Sequence, residues 1–295
     1  LRRFNSIKKP EGVIVSLDAD CTVKNNYFAS ICDNLLKKKE HTACSIYFEH
    51  PVSGSEHPEK IYKYITLYEL HLRYYLQSLK FSCFPYAFHT VGSAIAVKAG
   101  QYVKAGGMSR RQAGEDFYFI QNLVQTGGYF YLNTTTIYPS PRESFRVPFG
   151  TGPAITRLMD DTSDQLLTYN INAFKELRQL FCTAEKLFKC NSSEAQDFYN
   201  ALPAGLKNFI DKKEWLSGIN EMNKNSSAKG TFLKRFFGWF NMFKIVKYLN
   251  YAHADIFEKQ PVADAASHML SLTGHKFSSN DPYELLMFYR SLEKG

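Results

Sequence analysis

Gly12-Val13-Ile14-Val15-Ser16-Leu17-Asp18-Ala19-Asp20-Cys21 is the stretch from which the fold is read. Val13, Ile14 and Val15 are β-branched and Leu17 extends the apolar run. That is the pattern of a short buried strand, apolar on both faces as in a parallel sheet. The run stops on Asp18 and Asp20, with only Ala19 between them. Burying either carboxylate would be costly, so both are expected at the strand's C-terminal end, in the crevice where open α/β sheets place ligands. Residues i and i+2 of an extended segment point the same way. Two carboxylates aimed at one spot make a hard-cation site, suited to Mg²⁺ or Mn²⁺ on phosphate oxygens. Such triplets also cap strands and open turns, so the reading needs support from elsewhere in the chain.

Upstream, Leu1–Lys9 reads as a basic helix end and Pro10-Glu11-Gly12 as the turn into the strand. The chain opens without Met. If the strand belongs to a nucleotide-binding sheet, the strands that hold the base should precede it, and the chain is expected to be the C-terminal portion of a longer protein.

Downstream, Asn25–Lys39 has helical spacing, Thr42–Phe48 reads as a strand, and His50–Pro58, with Pro51, Gly54 and Pro58, reads as a loop. Glu59–Lys80 is a long helix whose broad stripe of Tyr, Ile and Leu is expected in the core. Thr90–Val97 reads as a strand interrupted by Gly92-Ser93, which implies close approach by a neighbouring backbone or a substrate. Gly114-Glu115-Asp116-Phe117 opens a helix, placing both acids in the first turn, where the helix dipole favours negative charge. Capping alone would account for them, but a Gly-rich approach followed by adjacent carboxylates also delivers a base to a cleft. Tyr129–Tyr138 reads as a strand pair or hairpin. The Pro139–Gly152 segment holds Arg142 and Arg146, which either clamp a diphosphate or form surface salt bridges.

In this order, Leu17-Asp18-Ala19-Asp20, Gly92-Ser93, Ala105-Gly106-Gly107-Met108, Gly114-Glu115-Asp116-Phe117 and the Arg142–Gly152 loop resemble a family-2 glycosyltransferase of the GT-A fold. The loop is similar to that of a bacterial subgroup. The resemblance covers roughly residues 1–152. It implies an α/β chain: a partial GT-A (Rossmann-like) nucleotide-sugar transferase sheet over 1–152, then a mostly α-helical region over 153–295. The implied activity is inverting transfer of a sugar from a nucleotide-diphospho-sugar to the hydroxyl of a glycan or lipid-linked glycan, in bacterial surface glycan synthesis. Residue by residue, Asp20 would ligate Mn²⁺ or Mg²⁺, and Asp18 would bind the ribose or assist at the metal. Asp116 would be the general base and Glu115 would orient acceptor or base, with Gly92 and Ser93 on the acceptor side. From charge and position, Arg142 and Arg146 would neutralise the leaving diphosphate. The Gln-x-x-Arg-Trp motif of processive members is absent, which favours a single transfer over polysaccharide synthesis.

Composition sets looser bounds. The chain has 295 residues, of which 44% are hydrophobic and 22% charged, enough for a real core. Its net charge of +8 suits a phosphorylated ligand, an anionic surface or nucleic acid without choosing among them. The six cysteines are scattered, with no Cys-x-x-Cys pair, which argues against disulfides or structural zinc and for a reducing cytoplasm. No apolar run approaches the roughly 20 residues of a membrane span.

From residue 154 onward helices are expected at Asp164–Lys189, Ser193–Leu202, Leu206–Met222 and Pro282–Leu292. Met222–Ala254 lacks acidic residues and carries Phe232, Phe236, Trp239, Phe240 and Phe243 at helical steps. This basic amphipathic stretch either packs its aromatic face on the rest of the protein or, through 230–252, makes a peripheral contact at the inner face of a membrane. Two other function classes compete. A non-catalytic binding or scaffold module would use the basic helical region. A phosphotransferase would reuse the Asp-x-Asp pair, but no P-loop is present. Nucleic acid is disfavoured as a partner because the lysines are dispersed and the paired acids repel phosphate.

Overall fold

A computed structural model describes residues 2–8, 11–108, 114–143, 150–160 and 165–294. The chain is α/β and forms two compact units. One comprises Leu1–Arg73, Phe88–Leu166 and Ser279–Gly295, and the other Tyr74–Ala87 and Leu167–Ser278. The first unit takes in the C-terminal helix Pro282–Lys294, so chain order and spatial grouping differ.

The first unit is built on a mixed sheet. Its strands are β1 Val13–Ser16, β2 Thr22–Val23, β3 Ala43–Phe48, β4 Ile95–Lys98 and β5 Tyr129–Tyr138, in the order β1-β4-β3-β5-β2. Only β3 and β5 run parallel; β1 with β4, β4 with β3, and β2 with β5 are antiparallel. The expectation of a parallel, fully buried β1 is therefore corrected. Among the described residues β1 is an edge strand bonded to β4 alone, from Val13 opposite Lys98 to Ser16 opposite Ile95, and is half-buried throughout. Val13 and Val15 pack against one core cluster and Ile14 against another, so both faces of the strand are partly covered. The strand buried along its whole length is β3, the middle one.

Two other strand assignments change. Tyr129–Tyr138 is one continuous ten-residue strand, because it must span both β3 and β2. Gly92 and Ser93 do not interrupt a strand. They sit in a tight turn closed by Ala94 N–H donating to Val91 O at 3.0 Å, and β4 begins only at Ile95.

Beneath the sheet lies a buried ionic network. Glu69 and Arg73, one turn apart on the long helix Glu59–Phe81, meet Arg290 and Glu293 of the C-terminal helix. Glu69 accepts from Arg73 and Arg290, while Glu293 accepts from Arg73 Nη1 at 2.6 Å and Tyr131 at 3.1 Å. Arg73 also donates to Phe48 O at 2.6 Å and lies over the Tyr47 and Phe48 rings.

The second unit is helical. Its aromatic stretch breaks into Lys229–Trp239 and Met242–Asp255, with Asn241 capping the second helix by accepting from Phe243 and Lys244 N–H. Phe232, Phe236 and Phe240 are fully buried, so these rings build the core of this unit. The helix expected over Leu206–Met222 is likewise two, Ala204–Phe209 and Lys212–Lys224, because Asp211 caps a new start on Glu214 N–H. Asp164–Lys189 reduces to Ile171–Phe181 and a short turn at Ala184–Leu187. Among the described residues no helix is long and apolar enough to cross a membrane.

The reading of all cysteines as unpaired is corrected. Cys83 and Cys182 form a disulfide across 99 residues of chain, joining the end of the long helix to the end of helix Ile171–Phe181. Scattered spacing hid a pair that only the fold brings together, and cysteine spacing no longer argues for a reducing compartment. Labelling the denatured, unreduced protein with a maleimide should modify four cysteines, Cys21, Cys32, Cys44 and Cys190, and six after reduction. Replacing Cys83 by Ser should cost the helical unit about 2–4 kcal/mol by freeing the unfolded loop. Both tryptophans lie in that unit, so their fluorescence in urea reads the loss directly.

Candidate functional site

The acid pair lies just beyond the C-terminal end of β1, as its costly burial requires. Its geometry is not that of an extended segment. Cys21 N–H donates to Asp18 O at 3.1 Å, closing a turn that folds Asp18, Asp20 and Cys21 together. Their ligand atoms all lie within 4.8 Å of one another, and both aspartates are exposed. Burial raises the Cys21 thiol above its ordinary value, and the Asp18 and Asp20 charges raise it further. The two carboxylates on this one turn are a donor set that fits Mg²⁺ or Mn²⁺ with further ligands from water and phosphate.

Asp116 reaches the same region from another element. Gly114 adopts a left-handed conformation, φ 76°, and starts the helix Glu115–Thr126, placing both acids in its first turn as expected. Asp116 Oδ1 accepts from Phe117 N–H at 2.7 Å. Burial raises the Asp116 carboxyl above its ordinary value of 3.8 and the neighbouring Glu115 charge adds to this, while backbone groups around it, Gly92 among them, pull it back. Glu115 thus enters as a charge beside the Asp116 carboxyl.

The turn at Gly92-Ser93 joins the two acidic centres. The Gly92 backbone lies against Asp116: a Cβ at Gly92 would fall 2.8 Å from Asp116 Oδ2, so a side chain here would push the carboxylate away. Ser93 lies beside the Cys21 thiol, one residue beyond Asp20. The close approach read from the sequence is real, and the partner is a carboxylate side chain.

Arg142 lies on the acid pair itself, its Nε donating to Asp20 Oδ2 at 2.5 Å. Arg146 lies outside the described residues. The Arg142 and Asp20 side chains keep 48% and 35% of their exposure, so the pair is a surface one, worth about 0.2–1 kcal/mol. Arg142 and a cation compete for the same oxygen. In Arg142→Gln, Mn²⁺ alone should bind at most about fivefold more tightly, the equivalent of that energy, in a calorimetric titration.

Sequence reasoning missed two members of this constellation. Cys21 was visible as the neighbour of Asp20 but carried no motif. Tyr68 was absorbed into the apolar stripe of the long helix, yet its phenol is pushed up to about 12, first by burial and then by the Asp116 charge. Its period-3.6 spacing gave no sign that it faces a carboxylate.

No family model, no curated protein and no solved structure matches this chain.

Proposed function

We propose that the chain is a metal-dependent, inverting glycosyltransferase of the GT-A type, moving a sugar from a nucleotide-diphospho-sugar to an acceptor hydroxyl. The observation that carries this reading is the Gly92-Ser93 turn, which ties the base-bearing helix to the turn of the acid pair. One centre is suited to a diphosphate with its cation, the other to an acceptor proton, and a single rigid turn sets their spacing.

In this mechanism Asp116 takes the proton of the acceptor hydroxyl. The acceptor oxygen bonds to the anomeric carbon from the face opposite the leaving group, as the bond to the diphosphate oxygen breaks. Burial raises the basicity of Asp116. Asp18 and Asp20 would hold Mg²⁺ or Mn²⁺, which when bound supplies Lewis-acid stabilisation of the departing diphosphate. Arg142, already at Asp20, adds a second positive charge beside that group. The acceptor in this reading is a glycan or lipid-linked glycan of a bacterial surface.

The test is calorimetric binding of UDP and of GDP, each with Mn²⁺ and with EDTA. Metal-dependent binding of either nucleotide, lost by at least tenfold in Asp20→Ala, is the expected result. Binding that ignores both the metal and Asp20 would overturn the proposal.

A further inference from the structure

The ionic network beneath the sheet contains two histidines that the mechanism above does not use. His50 lies at the end of β3, its N–H and Nδ1 both on Glu69 Oε2, at 2.7 and 3.0 Å. His89 lies at the start of the segment that leads to Gly92, with Nε2 at 3.0 Å from Glu293 Oε2. Both are buried, and each meets the Phe48 ring edge-on. A carboxylate only accepts, so His89 Nε2 carries the proton and donates to Glu293.

What His89 holds in place is short and clamped at both ends. Its own carbonyl accepts from Ser45 Oγ at 2.8 Å, which fixes the segment's start on β3. Five residues on, Ala94 O accepts from Ile46 N–H at 2.8 Å, which fixes its end on the same strand. Between these points the Val91–Ala94 turn sets Gly92 against the Asp116 carboxylate. Glycine has no side chain with which to anchor itself, so its position is set by the clamps. We propose that His89, held by Glu293 of the C-terminal helix, is a positioning residue that holds the Gly92 backbone against Asp116.

The arrangement links a residue near the C-terminus to the base without touching it. Arg73 and Tyr131 share the Glu293 oxygen that holds His89, so that carboxylate cannot follow the imidazole if it moves. Around Asp116 the facing groups are Glu115 on its own helix, Tyr68 from the long helix and Gly92 from the turn; Tyr68 also feels Arg157. Gly92 is therefore the backbone that meets Asp116 from outside its own helix, and its withdrawal would change the surroundings of that carboxylate. The consequence for catalysis rests on the glycosyltransferase reading, but the linkage itself is measurable without turnover.

The experiment follows the Gly92 amide of the ¹⁵N-labelled chain through an acid titration, with Asp116→Asn identifying the part of the response due to Asp116. In the wild-type chain the amide should move with Asp116, with a midpoint above the ordinary aspartate value of 3.8. In His89→Phe that response should shrink several-fold, and His89→Gln, which keeps a donor toward Glu293, should restore it. A folded His89→Phe whose Gly92 amide titrates as in the wild type would overturn the proposal and leave His89 a packing residue. Should His89→Phe not fold, Ser45→Ala removes the other clamp with little loss of volume. A partly reduced Gly92 response is then expected, and an unchanged one overturns the proposal. Failure of UDP or GDP to bind would sink the glycosyltransferase reading while leaving these amide shifts unaffected.

Discussion

Asp116→Asn should lower the rate of sugar transfer by about 10²–10⁴-fold, the usual contribution of a positioned base, and leave UDP or GDP binding with Mn²⁺ within about twofold of wild type. Asparagine keeps an oxygen where Phe117 N–H donates and a similar shape against Gly92. The turn and the helix start therefore survive, and what is lost is the ability to accept a proton. The wild-type pH profile gives a second readout. Burial first, then Glu115, raise the Asp116 carboxyl above 3.8. The base must be ionised to work, so activity should fall on the acid side at a pH above that value. A variant with unchanged turnover and intact nucleotide binding would remove Asp116 from the mechanism.

Arg73→Met should destabilise the sheet unit by about 3–5 kcal/mol, the cost of leaving a buried charge without its partner. Arg73 is fully buried and donates to Glu69, Glu293 and Phe48 O. Its removal strips both carboxylates of a donor at once, and the methionine stem replaces only the packing over Tyr47 and Phe48. Burial by itself would push Glu69 up, but Arg73, His50 and Arg290 together hold it well below its ordinary 4.5. A depressed carboxylate contributes stability that is fully present above its unfolded value and lost as pH falls through its folded value. Wild-type stability should therefore drop below about pH 4.3, more steeply than that of Arg73→Met, where Glu69 is less depressed. Since Trp215 and Trp239 belong to the helical unit, amide exchange in β3 is the appropriate probe.

What could be read from the sequence was what local chemistry decides. Val13–Leu17 needs cover and Asp18 and Asp20 need solvent, so a strand ending on an acid pair follows from neighbouring residues alone. Gly114 with Glu115 and Asp116 announces a helix start in the same way, and β3 and the long helix follow from periodicity. The features that stayed hidden depend on partners far along the chain. β1 reads as apolar on both faces, but nothing in its own residues says that it pairs on one side only. Gly92-Ser93 signals a close approach without naming Asp116. Cys83 and Cys182 lie 99 residues apart, and Glu69 reads as one polar position of an amphipathic helix until Arg290 is placed beside it. Arg146 lies outside the described residues, and the function itself rests on a proposal.

The return of Pro282–Lys294 to the sheet unit also constrains the order in which the chain can be completed. Arg290 and Glu69 are 221 residues apart in sequence, and the helical unit is synthesised between them. On the ribosome, β1 to β5 emerge long before the guanidinium and carboxylate that complete the charge balance of Glu69 and Arg73. Until then the nascent sheet carries charges that cannot be buried without loss, and it must wait open while the helical unit folds. Truncation before Arg290 would hold the sheet at that stage, so a protein tagged or cut near residue 290 risks aggregating through β3 while its helical half folds normally.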